Sequence, residues 1–354
     1  MSDAGALTQS RVRIERMCQL GLDARMLRRQ IIEELRRVVT FEAHAWLLTD
    51  PATAVGAAPV AEVPWMRELP HQIRLKYATR INRWTTLGNT PAALLYESTA
   101  GAPAQSLVWR ELLVRYGIGD VASVVFEDRF GCWAFLELWR STTEAPFTRA
   151  EARFLADLAD PLTAALRGCQ AGTFVVRPPR DSPRVGPVVL LLSPELDVRN
   201  QTPQAQQYLR ALVPPAVDRQ PIPAVAYNVA AQLLAVEDGI DSHPPTARVH
   251  VSDGFWMTVR AARLQAPGSP SRQDIAVTLE ESSAAERVDL FCRAHGLTAR
   301  ERELIDHLVA GHATREIARC MFLSENTVQD HLKSIFAKTD SRSRRTLLSR
   351  AIGS

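Results

Sequence analysis

The last sixty residues constrain this chain most, because helix-start signals recur there at intervals that suit only a small bundle of short helices. Thr298 and Glu301 are spaced as a capping box, in which the threonine oxygen and the glutamate each satisfy a backbone donor at a helix start. Leu304, Ile305 and Leu308 supply the apolar face that follows, and Gly311 stands where a left-handed C-terminal cap is wanted. "TREIARCMF" begins a second helix, with Thr314 as its expected cap, Ile317, Ala318 and Met321 turned inward, and Leu323 filling the next turn. Ser324 caps a third helix, whose positive end favours Glu325. Along it Val328, Leu332, Ile335 and Phe336 repeat on one face, and Asn326, Gln329, Asp330, Lys333 and Ala337 on the other. A fourth helix is expected from about Arg344 to Ile352.

Two helices joined by a tight turn, the second with polar side chains near its start, are what readout of the DNA major groove requires. The residues "LTARERELIDHLVAG", "REIA", "LSENTVQDHLKSIFAK" and "SRSRRTLL" resemble the LuxR-type, or GerE-type, helix-turn-helix family over about residues 296 to 350. That resemblance implies an all-α, four-helix, sequence-specific binder of double-stranded DNA, a homodimer joined through its last helix. It puts the base-reading positions on Gln329, Asp330 and Lys333. Lys333 can donate to guanine O6 and N7, Gln329 can pair with adenine or a phosphate, and Asp330 can accept from cytosine N4. Asp330 also repels phosphates in a wrong register, and pairing with Lys333 three residues on is an equal alternative for it. The resemblance carries Thr327 over as a phosphate contact; Thr314, Arg315, Ser324, Lys338 and, on charge alone, Arg345 are expected as further backbone contacts. The family commonly has Gly-Val where this chain has Asp340-Ser341, so a looser turn into the fourth helix is expected. An isolated helix with such a mixed polar face is ordinarily just solvated; the surrounding constellation tips the reading toward DNA. His331 reads as a packing or phosphate-facing residue, with no second ligand at metal spacing.

At 354 residues the chain is too long for one ordinary domain. Polar, Pro-rich "VVRPPRDSPRVGP" (175–187) and "LEESSAAERVDL" (279–290) divide it, giving segments 20–170, 187–280, a linker 281–295, and 296–354. In the first, "MLRRQIIEELRRVV" is an amphipathic helix, "AHAWLLTD" and "VASVVFEDRFGCWAFLELW" are strands with a turn at "EDRFG", and Thr148 with Glu151 caps a closing helix that Pro161 should bend. Such an α+β order resembles a GAF sensor domain. In the second, "GPVVLLLSPELDVRNQTPQAQQYLRAL" reads as a buried strand, a polar turn at "DVRN" and a short helix; a hairpin around Asp253-Gly254 and the strand "DIAVTLE" follow. This α+β segment resembles a PAS sensor domain. Trp46, Trp133 and Trp139 are expected to fill cores.

A composition of 46% apolar and 23% charged residues with a net charge of +3 neither favours nor excludes nucleic acid. No run of about eighteen apolar residues and no signal peptide is visible, so a cytoplasmic protein without membrane partners is expected. The five cysteines (Cys18, Cys132, Cys169, Cys292, Cys320) are scattered, which points to buried reduced thiols rather than a disulfide framework or zinc. His44, His71 and Cys132 are single residues, not a haem or metal set, so neither metal nor cofactor is expected and no cofactor-binding residue is assigned. P-loop, "G-x-S-x-G" and "H-E-x-x-H" patterns are absent, leaving an enzyme fused to a DNA-binding tail without catalytic residues to support it. The expectation is a regulator whose front half senses a small-molecule effector of unknown identity, or else only docks to protein; RNA polymerase is a further candidate partner.

Overall fold

The computed structural model describes residues 3–87, 90–175, 188–203, 223–252, 254–264 and 273–353. These form two compact units: Met1–Leu166 with Val185–Val249 and Thr258–Glu280, and Arg167–Arg184 with His250–Met257 and Glu281–Ser354.

The first unit is an α/β body that holds one five-stranded sheet and most of a second. Helices α1 (Asp3–Cys18) and α2 (Ala24–Leu35) precede β1 (Ala43–Thr49) and β2 (Gly56–Glu62); α3 (Leu69–Ala78) leads to β3 (Ala92–Leu94), β4 (Ile118–Asp128) and β5 (Gly131–Ser141). Strand order is β2-β1-β5-β4-β3, with antiparallel neighbours. The β4–β5 hairpin pairs Asp128 with Gly131, so the expected turn shortens to Arg129 and Phe130. Both faces of β5 are buried, which is why its sequence reads as a continuous apolar run rather than an alternation. Trp46 stacks on Phe126 at 5.2 Å, and Trp139 meets Trp65 edge-on at 5.4 Å, so the tryptophans fill the core as expected.

Helices α4 (Arg149–Asp157) and α5 (Ala159–Ala171) replace the single bent helix expected here. Proline has no N–H to offer the carbonyl of Asp157, and the helix breaks at Leu158 instead of curving through it. The Thr148–Glu151 capping box is present.

The second sheet comprises β6 (Val188–Leu192), β7 (Val198–Gln201), β8 (Thr246–Ser252), β9 (Phe255–Arg263) and β10 (Ile275–Glu281), with α6 (Ala224–Glu237) between β7 and β8. Its order, β7-β6-β10-β9-β8, repeats that of the first sheet: second strand, first, fifth, fourth, third. "VRN" is not a turn but the start of an edge strand antiparallel to β6. The turn lies earlier, at Ser193–Asp197, where Leu196 adopts φ 69 and the Ser193 hydroxyl accepts from the Glu195 and Asp197 amides. Gly254, at φ 69, supports the expected hairpin; Asp253, the short helix expected after β7 and most of the 175–187 stretch lie outside the described residues.

Buried polar pairs tie the two sheets' segments together. Asp50 grips Arg248 through Nε at 2.6 Å and Nη2 at 2.7 Å, and Asp241 takes Arg83 through Nε at 2.9 Å and Nη2 at 2.7 Å. The Asp241 carboxyl, which burial would raise, is held well below the usual range by His243 and the Arg83 guanidinium.

In the second unit α7 (Ala284–Ala294) begins with a Ser283–Glu286 capping box, so most of the stretch read as a linker is helical. Four helices follow: α8 (Ala299–Val309), α9 (Thr314–Cys320), α10 (Glu325–Thr339) and α11 (Arg344–Ile352). Cys132 and Cys292 are buried free thiols, whereas Cys320 is exposed, since it falls on the outer side of the short helix α9. No helix among the described residues is long and apolar enough to cross a membrane.

Candidate nucleic-acid interface

The interface is built on a core of Leu304, Ile305, Ile317, Val328, Leu332 and Ile335, all essentially buried. Thr298 caps α8, and its backbone amide donates to Glu301 Oε2 at 2.7 Å. Glu301 does more than cap. It also accepts from Ser334 Oγ at 2.7 Å and from Lys338 Nζ at 2.7 and 2.9 Å, which pins the end of α10 to the start of α8. Burial pushes the Glu301 carboxyl up, but the Lys338 ammonium and the Thr298 and Ser334 donors outweigh it and hold the group down at about 2.

Helix α9 starts one residue earlier than expected. Ala313 occupies the cap position, Glu316 accepts the Ala313 amide at 2.8 Å, and Thr314 instead takes Arg344 Nη2 on its hydroxyl at 2.6 Å. The turn to α10 closes through Leu323 N–H to Ala318 O at 2.8 Å. Within it Phe322 adopts φ 55 and is 94% exposed. A large aromatic left in water, two residues before the Ser324 cap, escaped the sequence reading; its only signal was its place between Met321, which is buried, and half-buried Leu323.

Ser324 caps α10 by accepting the Thr327 amide at 3.1 Å, and its hydroxyl bonds the Thr327 hydroxyl at 2.8 Å. Gln329, Asp330 and Lys333 all lie on the exposed face, opposite Val328, Leu332 and Ile335. Lys333 Nζ donates to Asp330 Oδ1 at 3.0 Å, the intrahelical alternative named above. Both side chains are over 70% exposed, so water or a base edge can compete for the pair cheaply. Arg315 and Arg345 are exposed. Lys338, by contrast, is 35% exposed and engaged by Glu301.

The turn into α11 is closed rather than loose. Asp340 adopts the left-handed conformation (φ 47, ψ 43), Ser341 N–H bonds Phe336 O at 3.1 Å, and Arg350 caps the Thr339 carbonyl. Aspartate tolerates that backbone better than most residues, which is how the position works without glycine.

Residues 296–354 hold ten Lys and Arg against seven Asp and Glu. So modest an excess gives little sequence-independent attraction through net charge alone. Among the described residues no group of three or more His, Cys, Asp or Glu could hold a metal.

Residues 295–351 match the family model for bacterial regulatory proteins of the luxR family (GerE), and this segment is a LuxR-type helix-turn-helix domain. The CsgBAC operon transcriptional regulatory protein of Escherichia coli (strain K12) is 50% identical over 42 residues, 12% of this chain and 19% of that protein. The probable HTH-type transcriptional regulator GfsR of Streptomyces halstedii is 37% identical over 89 residues, 25% of this chain and 37% of that one. The chain thus spans less than two fifths of the curated relatives it matches. A crystal structure of Escherichia coli SdiA aligns over 98% of this chain and 96% of its own at 12% identity, with a TM-score of 0.35, too low to bear on function.

The Glu301–Lys338 pair supports a stability prediction. Lys338→Ala should destabilise the domain by about 1–2 kcal/mol, the lower part of the range for a hydrogen bond to a charged group because the ammonium is a third exposed. A carboxyl lowered on folding contributes stability above its ordinary value of 4.5, and that contribution is lost as pH falls toward about 2. The gap between wild type and Lys338→Ala in urea titrations should therefore be full at pH 7 and close between pH 4.5 and about 2. A gap that does not change over that window would remove Glu301 as its cause.

Proposed function

We propose that the chain is a transcriptional regulator that reads duplex DNA through the exposed face of α10. The observation that carries this is the disposition of Gln329, Asp330 and Lys333 on one solvent-facing side of a helix whose other side is core. Such a helix, entered from a tight turn, fits the major groove with its first two turns against base edges. Lys333 leaves Asp330 for guanine O6 and N7, Asp330 turns to a cytosine amine, and Gln329 reads adenine or holds a phosphate. Arg315, Ser324, Thr327 and Arg345 position the backbone; Thr314 does so while bonded to Arg344, and Lys338 only by sharing its ammonium with Glu301.

The protein acts in the cytoplasm as a homodimer on DNA, its last helices in contact, with half-sites about 10 bp apart. The two α/β segments, 20–170 and 187–280, serve as GAF-like and PAS-like sensors that bias the reading heads, and RNA polymerase is the partner through which the bound regulator acts. The like order of the two sheets supports a pair of related modules. Selection of bound DNA from a random pool with the full-length protein tests the reading: a two-fold consensus is expected, and recovery of unselected sequence at low ionic strength would end it.

Phe322 gives a second, independent check. Seated beside the Ser324 cap, it gains contact with a sugar or a thymine methyl when α10 docks. Phe322→Ala should weaken DNA binding by about 1–2 kcal/mol without lowering the melting temperature, since its ring has little to lose on unfolding. Unchanged DNA affinity would take Phe322 out of the interface.

A further inference from the structure

Within the first unit, β1, β2 and β5 together with α3 and α6 line a recess of about 80 Å³ that opens past the exposed side chains of Ala61 and Met66. Its walls are mostly apolar, including Leu47, Ile73 and Phe135. Five polar side chains line it: Gln72, Lys76, Glu137, Asn228 and Tyr77, whose hydroxyl accepts the Gly56 amide at 2.9 Å. Lys76 and Glu137, 61 residues apart, form a buried ion pair, and Ser123 Oγ donates to the same glutamate oxygen at 3.3 Å. Asn228, 1% exposed, donates Nδ2 to Gly56 O at 2.7 Å. That bond fixes the amide and leaves Asn228 Oδ1 buried with no hydrogen-bond partner. Gly56 is what permits the approach, for a Cβ there would lie 2.8 Å from Leu47 and 3.2 Å from Asn228 Nδ2. The Gln72 amide, also buried, has no side-chain partner among the described residues.

A buried acceptor without a donor is costly, and a recess beside it gives the missing donor somewhere to sit. Charge narrows the class further. Lys76 and Glu137 already neutralise each other, so an incoming anion or cation would have to break a buried pair, whereas a neutral molecule leaves it intact. We propose that this recess is the effector site of the N-terminal unit and takes a neutral, mostly apolar small molecule whose N–H or O–H donates to Asn228 Oδ1. The effector role rests on the sensor reading above; the binding site itself rests on the geometry.

Calorimetry on the full-length protein with three matched probes tests it: indole, whose one polar hydrogen is an N–H, 1-methylindole, which lacks it, and the anion indole-3-carboxylate. Indole should bind, and 1-methylindole and the carboxylate at least about 10-fold more weakly, the effect of one hydrogen bond to a buried group or of disturbing the ion pair. Ala61→Phe, at an exposed position on the wall, should abolish indole binding, and Asn228→Leu should bring indole and 1-methylindole to equal affinity. No indole binding at millimolar concentration, equal affinity of wild type for indole and its methyl analogue, or undiminished binding in Ala61→Phe would each overturn the proposal. DNA selection by the same preparations reads the regulator separately: indole binding without DNA selectivity supports the site but removes its effector role, whereas DNA selectivity without indole binding keeps the regulator reading and overturns the site.

Discussion

Replacing Arg83 by methionine is expected to destabilise the first unit by about 3–5 kcal/mol, the cost of removing one partner from a buried ion pair. Arg83 and Asp241 are 1% and 4% exposed at their side chains, so neither can turn to water when the other is lost. Asp241 would keep the Ser242 and His243 amides at 2.7 and 2.9 Å, the His243 ring nitrogen at 2.6 Å and the Thr85 hydroxyl at 3.0 Å. It would lose the guanidinium that holds it through two hydrogen bonds, and Gln232 would lose its donor at 3.0 Å. The double variant Arg83→Met with Asp241→Asn removes the stranded charge and should recover a substantial part of the loss. Because a chain of two units need not unfold in one step, the loss is to be read from the transition of the first unit alone. A loss below about 1 kcal/mol in Arg83→Met, typical of an exposed pair, would show that the pair does not hold the unit together.

On DNA, the largest effect is expected from Lys333→Ala. Losing a lysine that reads a guanine costs about 1–3 kcal/mol of discrimination, or roughly 5- to 150-fold between the selected site and its variants at that base pair. Affinity for random duplex should change far less if, as proposed, this lysine spends its charge on a base edge. Asp330→Ala should act in the opposite sense on random DNA, raising affinity by removing a carboxylate that on the proposed reading repels phosphates, while lowering discrimination. Lys338→Ala serves as the contrast: weaker binding to all sequences and a salt slope smaller by about one unit. Because Lys338 also holds Glu301, its binding is to be measured where the variant remains folded. Equal losses on selected and random DNA for Lys333→Ala would show that α10 does not read through that side chain.

Much of the second unit was legible because its signals are local. A cap and its N3 partner lie three residues apart, and the apolar stripe of a helix repeats every three or four, so Thr298, Ser324 and the inward Val328, Leu332 and Ile335 identify themselves. The β4–β5 hairpin was legible for a similar reason, its turn residues being flanked by long apolar runs. Edge strand β7 was not: three of its four residues are exposed, so no alternation marks it, and polar residues near a proline read as a turn. Thr314 misled because threonine is a good cap, yet Arg344, thirty residues on, draws its hydroxyl away while Glu316 does the capping.

By itself the sequence determined the four C-terminal helices, which residues face outward on α10, and the likeness to LuxR-type domains that follows from them. Only the tertiary structure decided that Lys338 belongs to Glu301, that Arg83 and Arg248 join the two sheet-bearing segments, and that Asn228 is brought beside Lys76 and Glu137 around a recess. The reason is physical: periodicity and capping encode interactions within a few residues, whereas partners chosen across dozens of residues depend on which elements pack and on the need of every buried charge for a counter-charge.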